Sequence, residues 1–238
     1  MIKRQLFLLL LFIAIFTYEG RSQTAPSQDE IIRLVIEQKK ATDSKDALPF
    51  TLAPGRAPKT YLGHYTSFYN TECIVVCPLQ QGSNFIQCVL LLYKNNNGYW
   101  QNGCWYYDNV YRLKVKDLNK DMVQEIILET KTNAGGREFG NYKIISLLDQ
   151  KQQIWYDNNT ILGIDNIALK NIQKGSEVTK DIKITFVDSS NVIPATIKER
   201  TIIGRYNSYT DSLGAKIDYQ TIYQEYNFRD FRYIPKID

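Results

Sequence analysis

Residues 111–128 read YRLKVKDLNKDMVQEIIL, in which two runs that alternate like β-strands flank an acidic segment. Oxygen-bearing side chains stand at the first, third, fifth and ninth positions of that segment, which are Asp117, Asn119, Asp121 and Glu125. Hard cations such as Ca²⁺ bind several oxygen ligands at once, and alternating side chains of a tight loop can converge on one point. The segment therefore predicts a cation-binding loop between two strands.

The same stretch resembles the loop of FG-GAP or VCBS-type repeats of exported bacterial proteins. There the pattern D-x-[DN]-x-D-G-x-x-[DE] joins two strands of a propeller blade, and the loop binds Ca²⁺. The resemblance is partial and covers residues 85–157. It implies a calcium site formed by the side chains of Asp117, Asn119, Asp121 and Glu125 and the backbone carbonyl of Val123.

One position departs from the family pattern. The sixth residue of the loop is Met122 instead of glycine, and a positive φ there would cost a methionine roughly 1–2 kcal/mol. An EF-hand fits less well, because it needs flanking helices and a glutamate at position twelve, which is Leu128 here. The alternative to a metal site is an Asx-rich turn, in which the loop's Asp and Asn side chains bind only their own backbone.

The rest of the chain is mainly β in pattern. Short runs rich in Ile, Val, Tyr, Phe and Thr alternate with clusters of Asn, Gly and Asp, which is typical of strands and turns. The predicted strands are 72–79, 85–93, 99–107, 110–116, 124–131, 141–149, 152–157, 182–188, 196–206, 216–226 and 230–234. Their spacing favours an antiparallel meander, propeller-blade-like strands, a partial propeller or a sandwich.

One α-helix is predicted before these strands. Ser27 and Glu30 have the spacing of a capping box, and Ile31, Leu34 and Val35 follow on one helical face. The proline-bearing stretch from Leu48 to Pro58 then reads as a connector.

The N-terminus has the pattern of a secretory signal peptide. Lys3 and Arg4 precede an apolar run from Leu6 to Phe16, which is shorter than the ~20 residues of a membrane-spanning helix. Cleavage is expected near Ser22-Gln23. The predicted organisation is a signal peptide at 1–22, the helix and connector at 23–60, and a single β-rich domain at 61–238. The protein is then periplasmic or secreted, with no membrane span after cleavage.

Charge gives little indication of an anionic partner. The formal net charge is +4, and it falls to +2 without residues 1–22, which hold three basic residues and one acidic residue. Because the sequence has no basic stripe with interleaved aromatic residues, a nucleic-acid partner is not expected. A cell-envelope glycan or a protein is the partner class that remains.

Four cysteines lie in the first half of the β-rich region. Pairing the first hairpin about Gly82 places Cys77 opposite Cys88, and pairing the second places Cys88 nearly opposite Cys104; Cys73 lies further along the same face. In an exported protein a disulfide is the default, and the pair Cys88–Cys104 is favoured. A zinc site and buried free thiols are the alternatives.

An active site is not evident, so a non-enzymatic binding or structural protein is the leading interpretation. The single histidine, His64, lacks a nucleophile motif beside it and is expected to have a structural role. A carboxylate-dependent enzyme acting on carbohydrate or peptidoglycan is the alternative, with Glu125 and Glu129 as candidates. The aromatic group Tyr99, Trp100, Trp105, Tyr106 and Tyr107 could stack on sugars or fill a β core.

Overall fold

A computed structural model of the chain describes residues 24–42, 50–164, 172–189, 192–210 and 214–236. The helix is α1 Gln28–Thr42, and the strands are β1 Thr51–Leu52, β2 Lys59–Gly63, β3 Glu72–Gln81, β4 Asn84–Lys94, β5 Trp100–Tyr107, β6 Val110–Lys116, β7 Glu125–Ala134, β8 Arg137–Ser146, β9 Gln153–Ile164, β10 Glu177–Ser189, β11 Val192–Thr210, β12 Gly214–Arg229 and β13 Arg232–Pro235. The protein is mainly β with an N-terminal helix, as the sequence predicts. Every predicted strand is present, as β3 to β13.

The strands form two antiparallel sheets. The first has the order β1-β3-β4-β5, with β2 paired beside β1 on the same edge of β3. The second contains eight strands in chain order, from β6 to β13. This consecutive pairing is a meander, because each strand forms a hairpin with the next along the chain. The predicted mainly β fold is therefore confirmed.

One predicted loop is replaced by a tight turn. The predicted strands 124–131 and 141–149 leave residues 132–140, with Gly135 and Gly136, as a longer loop, yet β8 already begins at Arg137. Ala134 pairs with Arg137, and both glycines have positive φ, 56° and 75°. Two such residues in sequence are what a type I′ hairpin turn requires, so the strands extend to the turn itself.

The predicted connector contains one short strand, β1, and a second short strand, β2, directly follows the connector. Thr51 pairs with Gln80, and Lys59 pairs with Val76, so both segments bind the same edge of β3. Strand β1 has only two residues, and β2 directly follows the proline-bearing connector, so no alternation in the sequence separates them from that connector. Their consequence is that β3 is hydrogen-bonded on both sides and is a central strand.

Helix α1 covers one face of the first sheet. Ile31, Leu34 and Val35 are buried against residues of that sheet, including Val75 and Leu90. Alternate residues of the same strands point the other way, because side chains of a strand alternate between its two faces.

The opposite face of the first sheet packs on the second sheet. Ile74 and Val89 share a core cluster with Ile126 and Leu128 of β7. Ile127, between those two, belongs to another cluster on the far face of β7. The first half of β7, residues 125–129, is therefore buried on both faces, which explains why Ile126, Ile127 and Leu128 are consecutive apolar residues instead of alternating with polar ones.

The second sheet folds over on itself between β9 and β10. These strands share a single register pair, Lys180 with Ile161, so the sheet is weakly joined at this point. Beyond it, the ring of Phe228 on β12 lies 4.6 Å from that of Trp155 on β9. The described chain is thus layered as helix, first sheet, β6–β9 and β10–β13.

The cysteine pairing is confirmed in one part and wrong in another. Cys77 lies opposite Cys88 in the register of β3 and β4, as predicted. A bulge in β5 shifts the next register, so that Leu90 faces Tyr106 and Leu92 faces Asn102. Cys104 is therefore beside Leu91 and not beside Cys88. The favoured Cys88–Cys104 disulfide is wrong, because Cys73, Cys77 and Cys88 are buried free thiols.

Burial raises the pKa of the Cys73 thiol to about 12. The hydrogen bond with Cys77, together with burial, raises the pKa of the Cys88 thiol. Both groups are therefore protonated at neutral pH and act as small apolar residues in the core under α1.

The N-terminal prediction lies outside the described residues, since residues 1–23 are not among them. Among the helices that the structure describes, none is long and apolar enough to cross a membrane.

Candidate functional site

The acidic loop joins β6 to β7, as its strand-like flanks predict. Several of its polar side chains bind backbone amides of the loop itself. Asp117 Oδ2 accepts a hydrogen bond from the Met122 N–H at 3.0 Å, and Asp121 Oδ1 accepts one from the Val123 N–H at 2.8 Å. Asn119 Oδ1 accepts a weaker bond from the Asp121 N–H at 3.3 Å. These contacts give the loop the Asx-turn character that the sequence offers as the alternative to a metal site.

Met122 adopts the left-handed conformation that its position in the family pattern requires. Its φ is 70°, and that of Lys120 is 60°. Such values are unfavourable for residues other than glycine, asparagine and aspartate. The side chain of Met122 is 62% exposed, so no packing offsets the backbone strain. The loop therefore retains a glycine-like turn at the sixth position even though glycine is absent.

Glu125 is the buried anchor of the loop. Its side chain is 0% exposed, and Oε2 accepts a hydrogen bond from the Leu118 N–H at 2.8 Å. The other oxygen, Oε1, is buried without a hydrogen-bond partner among the described residues, and so is Oδ1 of Asp117. Two buried acceptors without donors are costly unless a cation, a proton or water satisfies them.

The electrostatic surroundings of Glu125 oppose its ionisation. Burial, followed by the negative charges of Asp121 and Asp117, raises the pKa of Glu125 to about 8. An uncompensated carboxylate in such a site takes up a proton, whereas a bound cation would hold it ionised.

Another buried glutamate shows how this chain satisfies a carboxylate when its role is purely structural. Glu199 on β11 accepts hydrogen bonds from the hydroxyls of Tyr156, Thr201 and Tyr226. Although burial opposes ionisation, these bonds hold the pKa of Glu199 below its usual value. Glu125 differs because no described residue donates a hydrogen bond to its Oε1.

Two side chains of the acidic loop are hydrogen-bonded to each other. The amide nitrogen of Asn119 donates to Asp121 Oδ2 at 2.7 Å, and Asn119 Oδ1 accepts the Asp121 N–H, so both polar atoms of this side chain are engaged within the loop. No group of three or more His, Cys, Asp or Glu side chains in the described part of the chain is arranged to hold a metal ion. Asp117 and Glu125 each have one buried oxygen atom without a partner among the described residues, whereas Asn119 and Asp121 are bonded to each other.

The acidic loop is hydrogen-bonded to the segment that precedes β3. The Gln124 N–H donates to the backbone oxygen of His64 at 2.7 Å, and His64 Nδ1 lies 2.8 Å from the backbone oxygen of Asn70. His64 thus organises a turn, which agrees with the structural role expected of it.

The aromatic residues singled out in the sequence divide between core and surface. Trp100 and Trp105 are each 4% exposed, whereas Tyr99 is 66% exposed. The indole N–H of Trp105 donates to Gln152 Oε1 at 3.1 Å, and the Tyr106 hydroxyl donates to Asp108. Both tryptophans therefore belong to the β core, and Tyr99 remains available for a ligand.

A cleft that sequence reasoning missed brings two carboxylates together. Glu129 of β7 and Asp181 of β10 line a cavity of about 260 Å³, with Arg112 and Tyr142 beside them. Arg112 Nη1 lies 3.5 Å from Glu129 Oε2. Burial raises the pKa of Glu129 above its usual value, although Arg112 opposes the shift. Because β7 and β10 are about fifty residues apart, only the fold of the second sheet reveals this pairing.

A second feature missed in the sequence is a larger cleft lined by amide side chains, of about 660 Å³. It lies between the β4–β5 hairpin and the turn before β3. The Asn-rich segment 95–97 contributes to it, and the sequence alone indicates only that this segment is a turn.

Comparison of the chain with family models, with curated proteins and with solved structures finds no match to any of the three. Functional interpretation therefore depends on the geometry of these sites and on the loop's resemblance to the FG-GAP or VCBS pattern.

Proposed function

We propose that this chain is an exported, non-enzymatic, β-rich binding protein whose acidic loop takes up Ca²⁺ as a stabilising ion. The observation that carries the calcium role is the buried Glu125, whose Oε1 lacks a hydrogen-bond partner among the described residues, as does Oδ1 of Asp117 in the same loop. Oxygen atoms of this kind are the ligands that Ca²⁺ prefers.

The acidic loop contains the oxygen ligands that a calcium ion requires. Asp117 and Glu125 offer the open oxygen atoms, and Asp121 and Asn119 offer further oxygen atoms once the hydrogen bond between their side chains is released. The backbone carbonyl of Val123 completes the set that the resemblance implies. When bound, the ion would supply the positive charge that offsets three neighbouring carboxylates, and it takes part in no reaction.

Thermal unfolding in the presence of Ca²⁺ tests the stabilising role. A ligand present at 100 times its Kd stabilises the folded state by about 2.7 kcal/mol, which raises the Tm of a chain of this size by roughly 5–10 °C. Mg²⁺ is the control ion, since it demands a smaller octahedral site. Equal shifts with both ions would contradict a specific calcium site.

A matched pair of variants locates the effect. Glu125→Gln removes the buried charge and should abolish the Tm shift. Glu37→Gln changes an exposed glutamate of α1, whose partner Arg33 lies 3.0 Å away on the same helix, and should leave the shift intact. A shift that survives in Glu125→Gln would place the ion elsewhere.

A second candidate function, a carboxylate-dependent glycan hydrolase, is favoured by the cleft that holds Glu129 and Asp181. A carboxyl group with a raised pKa can act as a general acid, and a second carboxylate across a cleft can act as base or nucleophile. Release of reducing ends from peptidoglycan or neutral polysaccharide by the wild type, lost in Glu129→Gln and Asp181→Asn, would establish this function. Wild-type protein that releases none would leave the binding role.

A further inference from the structure

The larger cleft between the β4–β5 hairpin and the turn before β3 has an unusual lining. It has a volume of about 660 Å³, within the range of small-molecule sites. Amide side chains from three separate segments meet in it: Asn70, Asn95, Asn96, Gln101, Asn102 and Gln150. A carboxamide both donates and accepts hydrogen bonds without carrying charge. Asn95 Oδ1 already accepts hydrogen bonds from two backbone N–H groups of its own turn, and Asn102 Nδ2 donates to the backbone oxygen of Leu34. The other polar atoms of these amides line the cleft with neutral donors and acceptors.

Two charged residues border the cleft, and both already have partners. The carboxylate of Glu72 accepts hydrogen bonds from the Tyr65 N–H, the Thr66 N–H and the Thr66 hydroxyl at 2.6, 2.7 and 2.5 Å. The ammonium of Lys94 lies 5.2 Å from the centre of the Trp100 ring. These groups are of opposite sign, so the cleft lacks the cluster of cations that would select a phosphate or an acidic sugar.

An aromatic ring lies among the amides. Tyr93 lines the cleft and is 37% exposed, and its hydroxyl donates to Gln101 Oε1 at 2.9 Å. This bond fixes both side chains and leaves the Gln101 amide N–H groups and the Tyr93 oxygen for a ligand. The two bordering loops carry further exposed rings, since Tyr69 is 81% and Tyr99 is 66% exposed.

We propose that this cleft binds a neutral polyhydroxylated ligand, in the form of a glycan chain built of uncharged sugars. Sugar hydroxyls donate and accept in the way that amides do, and the apolar faces of sugar rings stack on exposed aromatic rings. The inference rests on the proposed binding function and assigns it a place and a ligand class. It is independent of Ca²⁺, because none of the acidic-loop residues lines the cleft.

Calorimetric titration with neutral oligosaccharides tests the assignment. The probes are cellopentaose, maltopentaose, xylopentaose, mannopentaose and chitopentaose, each at up to about 10 mM, which reaches the weakest affinities of interest. At least one of them should bind, whereas hexa-galacturonate, an acidic oligosaccharide, should bind at least tenfold more weakly. If the neutral probes give no heat at these concentrations, or the acidic probe binds as well as they do, the proposal is overturned.

Two cleft variants and two matched controls locate the binding. Gln101→Leu keeps the side-chain size but removes the amide, and Tyr93→Phe keeps the ring but removes the hydroxyl. Each should weaken binding roughly five- to tenfold, as the loss of one or two hydrogen bonds does. Asn133→Ala and Tyr219→Phe alter an amide and a tyrosine away from the cleft and should change affinity less than twofold. Binding that is insensitive to the cleft variants, or sensitive to the controls, would overturn the assignment.

NMR of the wild-type protein tests the assignment without any variant, so the result does not depend on whether the variants fold. Side-chain amide resonances of Gln101 and Asn96 should shift in wild-type protein during titration with the binding oligosaccharide, and those of Asn133 should not. A failure of the cleft assignment can be distinguished from a failure of the proposed binding function by retention on cell-envelope glycan. Retention of the wild type and of Gln101→Leu by purified cell-envelope glycan to the same extent would leave the binding role standing and remove the cleft from it.

Discussion

Glu125 shows how much of the candidate site a single residue can reveal. Its place at the ninth position of an acidic pattern predicts an oxygen ligand, and the structure places it at the first residue of β7. Its full burial and the absence of a donor for Oε1 among the described residues depend on packing from two sheets. That information is tertiary, because no local pattern states which oxygen atom receives a hydrogen bond.

The raised pKa of Glu125 makes stability depend on pH in a defined direction. A carboxyl whose pKa is about 8 in the folded protein and 4.5 in the unfolded chain binds more protons when folded across that interval. Its contribution to stability is therefore full below the unfolded pKa and is lost as the pH rises through the folded pKa. Without Ca²⁺, the free energy of unfolding should fall between pH 5 and pH 8.

Urea unfolding at the two pH values measures this dependence, with Glu125→Gln as the comparison. The variant cannot ionise at residue 125, so its free energy of unfolding should fall less between pH 5 and pH 8. At pH 8 the free energy of unfolding of the variant should be larger than that of the wild type. An equal fall in both proteins would show that Glu125 is not the group responsible.

Met122 gives a second prediction at the residue scale. Its φ of 70° lies in the left-handed region, where glycine is not strained. Met122→Gly should therefore raise the free energy of unfolding by about 0.5–1 kcal/mol, the strain relieved being partly offset by the greater backbone freedom of the unfolded chain. Met122→Ala retains the strain and serves as the control, so equal stabilities of the two variants by urea unfolding would contradict a strained turn.

The cysteines mark the limit of residue-level prediction. Opposition of Cys77 and Cys88 follows from a symmetric hairpin with a two-residue turn at Gly82 and Ser83, and it is confirmed. The proposed partner of Cys88 is wrong because a bulge near Leu91 shifts the register of β5. A bulge inserts unpaired residues in one strand only, and the sequence carries no periodic signal for its position.

Elements are the scale at which the sequence predicts best. The strands of seven or more residues are all recovered, and so is the short β13, which follows a turn from β12. The missed strands, β1 and β2, lie within or directly after the proline-bearing connector. Helix α1 is recovered through its N-terminal signal: the Ser27 N–H donates to Glu30 Oε2 at 3.0 Å, and the Glu30 N–H donates to Ser27 Oγ at 3.3 Å. The predicted capping box is therefore confirmed.

This capping box predicts the cost of removing its serine. Ser27→Ala should lower the free energy of unfolding by about 1 kcal/mol, because the Glu30 N–H loses its acceptor and the Glu30 carboxylate loses the hydroxyl donor. The exposed pair of Arg33 and Glu37 on the same helix provides the control. Arg33→Ala should cost less than about 0.5 kcal/mol, as exposed pairs one helical turn apart do. A larger loss for Arg33→Ala than for Ser27→Ala in urea unfolding would contradict this account of the helix.

At the scale of the whole molecule, the layered packing is what the sequence leaves open. Alternation places Ile126 and Leu128 on one face of β7 and Ile127 on the other, but it does not say what covers each face. The weak link between β9 and β10 lets the second sheet fold back, which brings Glu129 beside Asp181. The amide-lined cleft likewise joins segments that are distant in sequence.

The acidic loop has a central place in these layers. Leu118 within the loop is packed in the cluster between β6–β9 and β10–β13, while β7, which follows the loop, is also packed against the first sheet. A ligand that orders the loop should therefore stabilise the fold as a whole, and removal of that ligand should lower the free energy of global unfolding.

Isothermal titration of the wild-type protein with Ca²⁺ at pH 8 tests the calcium role most directly, with Glu125→Gln titrated in parallel. The account predicts saturable binding of one ion by the wild type, an affinity that weakens as the pH falls toward 5 because Glu125 takes up a proton, and no binding by the variant. Absence of saturable heat in the wild type at pH 8, or equal binding by Glu125→Gln, would contradict it.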